Sequence, residues 1–148
     1  MTMKPTSTAS PRNAAARISA AAPGQADYSI ERDGKPFAGV HHIIDMWAPK
    51  HIDDLEYIET VLKKSVAAAR ATLLHIHLHH FAVTGGVSGV AVLAESHISV
   101  HTWPERAFAA FDIFTCGNTD PEAAIAVLTA AFEPGRVEVR EVLRGGEE

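Results

Sequence analysis

The chain has 148 residues, with 13 Lys and Arg against 18 Asp and Glu, and a formal net charge of −5. Its 47% hydrophobic and 21% charged content is ordinary for a globular domain and allows one modest core. No Lys/Arg-rich run invites nucleic acid, and no apolar stretch approaches the roughly 20 residues of a membrane helix, so neither is an expected partner. Cys116 is the single cysteine, which excludes an internal disulfide, suits a reducing cytoplasm and leaves one free thiol.

Residues 1–36 read as a disordered N-terminal tail and 37–148 as the domain. Met1 to Ala26 contain no acid and no sustained apolar period, and no apolar core precedes a cleavage site of secretory type. Gly39 to Trp47, rich in β-branched and aromatic residues, predicts a first strand. Asp53, with Glu56 three residues on, resembles a capping box. Leu55, Ile58, Leu62, Val66 and Ala69 then recur at helical spacing.

From Thr72 to Phe81 the pattern alternates, with Leu74, Ile76 and Leu78 on one side and His75, His77 and His79 on the other. Thr84-Gly85-Gly86 is a turn signal. Val87–Ala94, Ile98–Trp103 and Ala109–Phe114 are further strands, the first two parted by the polar break Glu95-Ser96-His97. Asp120-Pro121 caps a second helix with Ile125, Leu128 and Phe132 on its apolar face. Pro134-Gly135 ends it, and Arg136–Arg140 alternates as a last strand. Short links favour antiparallel neighbours, so the expected fold is α+β, a two-layer sandwich of a mainly antiparallel sheet with two helices on one face. The histidine side of the 72–81 strand would then lie on the open face, where a second copy of the chain would cover it.

Ser88, Glu95, Ser96, His101 and Glu105 stand among short apolar runs, and Cys116 follows. Hydroxyl, imidazole and carboxylate groups at strand ends can converge on one reacting atom. Each alone has a plain structural explanation: a solvated turn for Ser96, a bulge for Ser88, a satisfied core histidine for His101, a small buried hydrophobe for Cys116. Their coincidence between positions 88 and 116 is what points to a site.

Gly-Val-Ser-Gly-Val, Ala-Glu-Ser-His, His-Thr-Trp-Pro-Glu and Thr-Cys-Gly occur here in one order, between Gly86 and Gly117. The combination resembles the short prokaryotic type of pyruvoyl-dependent S-adenosylmethionine decarboxylase proenzyme, over about Gly39 to Glu141. The resemblance implies self-cleavage between Glu95 and Ser96. The Ser96 hydroxyl attacks the preceding carbonyl, and elimination and hydrolysis convert Ser96 to a pyruvoyl group, so that no metal is needed. Ser88 would assist the cyclic intermediate and His101 would act as base. The pyruvoyl ketone would form a Schiff base with the substrate amine, and Cys116 would return a proton after carbon dioxide leaves. Glu105 would hold the ribose hydroxyls of S-adenosylmethionine, and Phe81 would stack on adenine. The family further implies supply of the aminopropyl donor for spermidine synthesis, and the open sheet face suggests a homodimer of processed two-chain protomers.

Two other substrates suit the same scaffold, arginine and ornithine, whose basic tails a carboxylate such as Glu105 would pair with. Two readings of another class also stand: a non-catalytic regulatory homologue, and a metal-binding protein using His75, His77 and His79.

Overall fold

The computed structural model describes residues 28–146. Eight strands and two α-helices follow one another as β1 (Ile30–Arg32), β2 (Lys35–Phe37), β3 (Gly39–Trp47), α1 (Leu55–Ala68), β4 (Leu73–His80), β5 (Val87–Leu93), β6 (Ser96–Trp103), β7 (Phe108–Thr115), α2 (Pro121–Phe132) and β8 (Arg136–Arg144). A short 3₁₀ turn, Pro104–Arg106, joins β6 to β7. The main sheet has six strands in the order β4-β5-β6-β7-β3-β8, every pairing antiparallel. The expected α+β sandwich is the observed one. Among the described residues no helix is long and apolar enough to cross a membrane.

Strand periodicity sorts the two faces. Ile44 and Met46 of β3, Ile98 and Val100 of β6, and Phe111 and Ile113 of β7 are buried beneath the helices. Against them pack Ile58, Leu62 and Val66 of α1 with Ala124, Leu128 and Phe132 of α2. Tyr57 Oη donates to the Ala131 carbonyl at 2.7 Å and ties the helices together. The alternate residues of the same strands, among them His41, His97, His101 and Asp112, face the open side.

Three local expectations shift. Asp54, not Asp53, caps α1, its carboxylate accepting the Tyr57 N–H at 3.0 Å; a turn through Asp53 starts the helix one residue later. The β4–β5 register slips between Leu73 and His75, which turns Leu74 out to 63% exposure and leaves Leu73, Ile76 and Leu78 against the core. Part of the expected tail carries strands, because Asp33-Gly34, both at positive φ, turns β1 back on β2. Residues 1–27, the rest of that tail, lie outside the described residues.

Candidate active site

The polar break is a two-residue turn. Leu93 pairs with Ser96, so Ala94 and Glu95 alone reverse the chain between β5 and β6. Such hairpins favour residues that accept positive φ, above all glycine and asparagine. Neither is present here, and the positive φ falls instead on Ser96, at 132°. A non-glycine residue there is strained and persists only where its surroundings hold it.

Those surroundings are specific. The Glu95 carbonyl oxygen, on the peptide bond to Ser96, accepts the Cys116 backbone N–H at 3.1 Å and the Cys116 thiol at 3.3 Å. Two donors on one carbonyl form the geometry that stabilises an oxyanion. The Glu95 carboxylate accepts the Thr72 N–H at 2.9 Å and the Thr72 hydroxyl at 3.2 Å. Burial, and next the Glu95 carboxylate, push the Cys116 thiol above its ordinary value, opposed by a hydrogen bond with Ser96. The thiol is therefore a protonated acid at neutral pH. Thr115, the cross-strand partner of Ser96 on β7, buries its hydroxyl with no hydrogen-bond partner among the described residues.

A second group lies at the far end of β6. Ser88 Oγ is 2.9 Å from His101 Nδ1 across the β5–β6 pair. Glycine on either side lets other backbone approach: a Cβ on Gly86 would meet the Thr102 carbonyl at 2.7 Å, and one on Gly89 would overlap the His77 carbonyl. Gly86 also abuts Pro104, which brings the Phe81–Gly86 turn beside the 3₁₀ turn bearing Glu105. Phe81 is 45% exposed and packs edge-on against His79, their ring centroids 4.7 Å apart.

The predicted residues thus form two half-sites, Glu95–Ser96–Cys116 and Ser88–His101 with Phe81 and Glu105 nearby. One chain does not bring the two together. Ser96 and His101 are five positions apart on β6, about 17 Å at strand rise, and of opposite parity. Convergence of these groups on one reacting atom therefore calls for a second copy of the chain.

Between the half-sites the open face carries a network that motif reading missed. Asp112 accepts a hydrogen bond from Ser99 and lies 2.8 Å from His41 Nε2 and 3.5 Å from His97 Nε2. Burial raises its carboxyl, but the Ser99 and His41 hydrogen bonds and the charges of His97 and His41 outweigh that and leave it below the ordinary carboxylate range. His41, His97 and Asp112 form one group, and His42, Glu122 and Glu141 another, whose ligand atoms lie within 4.8 Å of one another among the described residues; His75, His77 and His79 do not form such a group. A cleft of about 390 Å³ between Ser29–Arg32 and Gly117–Thr119 adjoins the Cys116 loop but holds none of the predicted site residues.

The family model for S-adenosylmethionine decarboxylase matches residues 40–145. The chain belongs to this family. It is 48% identical over 108 residues to the S-adenosylmethionine decarboxylase proenzyme of Thermomicrobium roseum, covering 72% of this chain and 93% of the relative. Identity to the proenzyme of Methanococcus vannielii is 44% over 110 residues, covering 72% and 89%. The crystal structure of the adenosylmethionine decarboxylase from Aquifex aeolicus superposes with a TM-score of 0.67 at 35% identity, covering 74% of this chain and 92% of that one. Family membership makes the chain a decarboxylase.

Proposed function

We propose that this chain processes itself at Glu95–Ser96 and then decarboxylates S-adenosylmethionine with the resulting pyruvoyl group. The observation carrying the reading is the pair of Cys116 donors on the Glu95 carbonyl, next to a serine held at a φ of 132°. In the first step the Ser96 Oγ adds to the Glu95 carbonyl carbon while the Cys116 N–H and thiol hold the developing oxyanion. The carbon–nitrogen bond then breaks, the hydroxyl proton passes to the freed Ser96 amine, and an ester joins Glu95 to Ser96. A base removes the Ser96 α-proton, the Cβ–O bond breaks, and residues 1–95 leave with a terminal carboxylate. The dehydroalanine left behind tautomerises, takes up water and loses ammonia to give the ketone.

His101, paired with Ser88, suits the role of base, and its distance from Ser96 along β6 supports its acting from a partner protomer. In a homodimer with open faces apposed and strands related by a two-fold axis, each protomer's Ser88–His101 pair would lie over the other's Ser96. The exposed Trp103 and the aromatic row it makes with Phe108 and Trp47 suit burial in such an interface.

The relatives named above are S-adenosylmethionine decarboxylase proenzymes, which favours that substrate over arginine and ornithine. The pyruvoyl ketone supplies the electron sink for carbon dioxide loss. Cys116, kept protonated, returns the proton to the substrate α-carbon; exposed Glu105 suits the ribose hydroxyls, and Phe81 the adenine. The product would be an aminopropyl donor for spermidine synthesis, made in a reducing, cytoplasmic setting.

Intact mass of the purified protein tests the reading. Two chains dividing after Glu95, the second short of one ammonia relative to a peptide starting at Ser96, are expected, with carbon dioxide release from S-adenosylmethionine and not from arginine or ornithine. Ser96→Ala should stay a single chain. A wild-type protein that remains full length on prolonged incubation overturns self-processing.

A further inference from the structure

We infer that Thr72 is a positioning residue for chain cleavage, acting through Glu95; the inference rests on the self-processing reading. The Ala94-Glu95 turn leads into Ser96, a non-glycine residue at a φ of 132°, and such a backbone persists only where its surroundings hold it. Thr72 makes three of the bonds that hold this turn. Its carbonyl accepts the Ala94 N–H at 3.0 Å, and its N–H and hydroxyl both donate to the Glu95 carboxylate. With the side chain clasped on one side and the carbonyl oxygen held by Cys116 on the other, the Glu95–Ser96 peptide has little freedom to rotate.

Both holders are referenced to one rigid point. Ala71, beside Thr72, donates its N–H to Val66 at the end of α1, at 3.1 Å. Past Cys116, the Asp120 N–H donates to Ala69 of the same helix end, at 2.9 Å. The end of α1 therefore sets the Glu95 clasp and the Cys116 loop in one frame. That relation fixes where the attacked carbonyl lies relative to its two donors. A positional error of an ångström in such an arrangement costs far more rate than stability.

Thr72 is exposed, so exchanging it leaves the core intact. The test follows the first-order conversion of freshly made full-length chain into two chains, with thermal midpoints measured on the same variants in the uncleaved Ser96→Ala background. Thr72→Val should slow conversion about 5- to 10-fold, the value of one lost hydrogen bond to a charged acceptor at an exposed site. Thr72→Ser, which keeps the hydroxyl, should stay within about twofold of wild type. Glu95→Gln should slow conversion by a similar factor, and the double variant should be no slower than the slower single variant, since both act through one clasp. Thr72→Val chains that have completed processing should turn over at the wild-type rate.

Conversion of Thr72→Val at the wild-type rate overturns the assignment. So do losses that multiply in the double variant, or a rate loss matched by an equal loss of thermal stability. A wild-type chain that never converts removes the self-processing reading and the clasp with it, whereas normal wild-type conversion beside an unimpaired Thr72→Val removes the clasp alone.

Discussion

The Cys116 thiol donates to the Glu95 carbonyl oxygen at 3.3 Å, and burial together with the Glu95 carboxylate pushes that thiol above its ordinary value. Under the proposed cleavage, the residue attacked is the one whose carboxylate helps keep its neighbour protonated. Alkylation of Cys116 by iodoacetamide should show a pH midpoint above that of free cysteine, about 8.5. Cys116→Ala keeps the backbone donor, so cleavage should slow only about tenfold while turnover falls at least 100-fold, the usual scale for losing a general acid. An alkylation midpoint at or below that of free cysteine, or unchanged turnover in Cys116→Ala, would remove the thiol from this role.

The separation of Ser96 from His101 along β6 predicts complementation between defective chains. Ser96→Ala and His101→Ala are each expected to be inactive when made alone. Made together, half of the dimers in a random mixture are mixed, and each mixed dimer holds one intact site, so activity should return to about a quarter of wild type. About a quarter of the chains should run as the two cleavage products on a denaturing gel of the same sample. Co-expression that restores nothing would mean that His101 serves its own chain or no chain.

Much of this fold is legible in the amino-acid order because it rests on local periodicity. The β-branched and aromatic run Gly39–Trp47 and the Asp120-Pro121 cap correspond directly to β3 and to the start of α2. Leu74 is different: its outward turn depends on a register slip against β5, and a slip belongs to the pair, not to either strand. The site divides in the same way. Ser88, Ser96, His101 and Cys116 are visible as motifs, yet their closeness in sequence conceals that a strand stretches five residues over about 17 Å. Thr72 carries no motif at all, since two of its three bonds are made by backbone atoms. The Asp33-Gly34 hairpin signal is present in the sequence, but the tail-like composition before it masks its meaning.

Thr115 pairs with Ser96 on the neighbouring strand and buries a hydroxyl that no described group satisfies. A buried, unpaired hydroxyl costs about 1–3 kcal/mol, and valine has nearly the same shape. Thr115→Val should therefore raise the unfolding free energy by about 1 kcal/mol, measured in the uncleaved Ser96→Ala background. A loss of stability instead would show that the hydroxyl has a partner in solution, with an ordered water the natural candidate.

Asp112 joins three strands on the open face through Ser99 of β6 and His41 of β3. Its carboxyl titrates below the ordinary 3.8 in the folded protein. A depressed carboxyl adds stability that is fully present above its unfolded value and is lost as pH falls through the folded one. Asp112→Asn should accordingly cost about 1–2 kcal/mol at pH 7. Between about pH 5 and pH 3 the difference from wild type should shrink, because the unfolded carboxylate takes up a proton that the folded one resists. Urea unfolding of both proteins at equal concentration across that range measures it. A gap that stays constant through the acid range would mean that Asp112 contributes by shape, and that its charge does not tie β6 to β3.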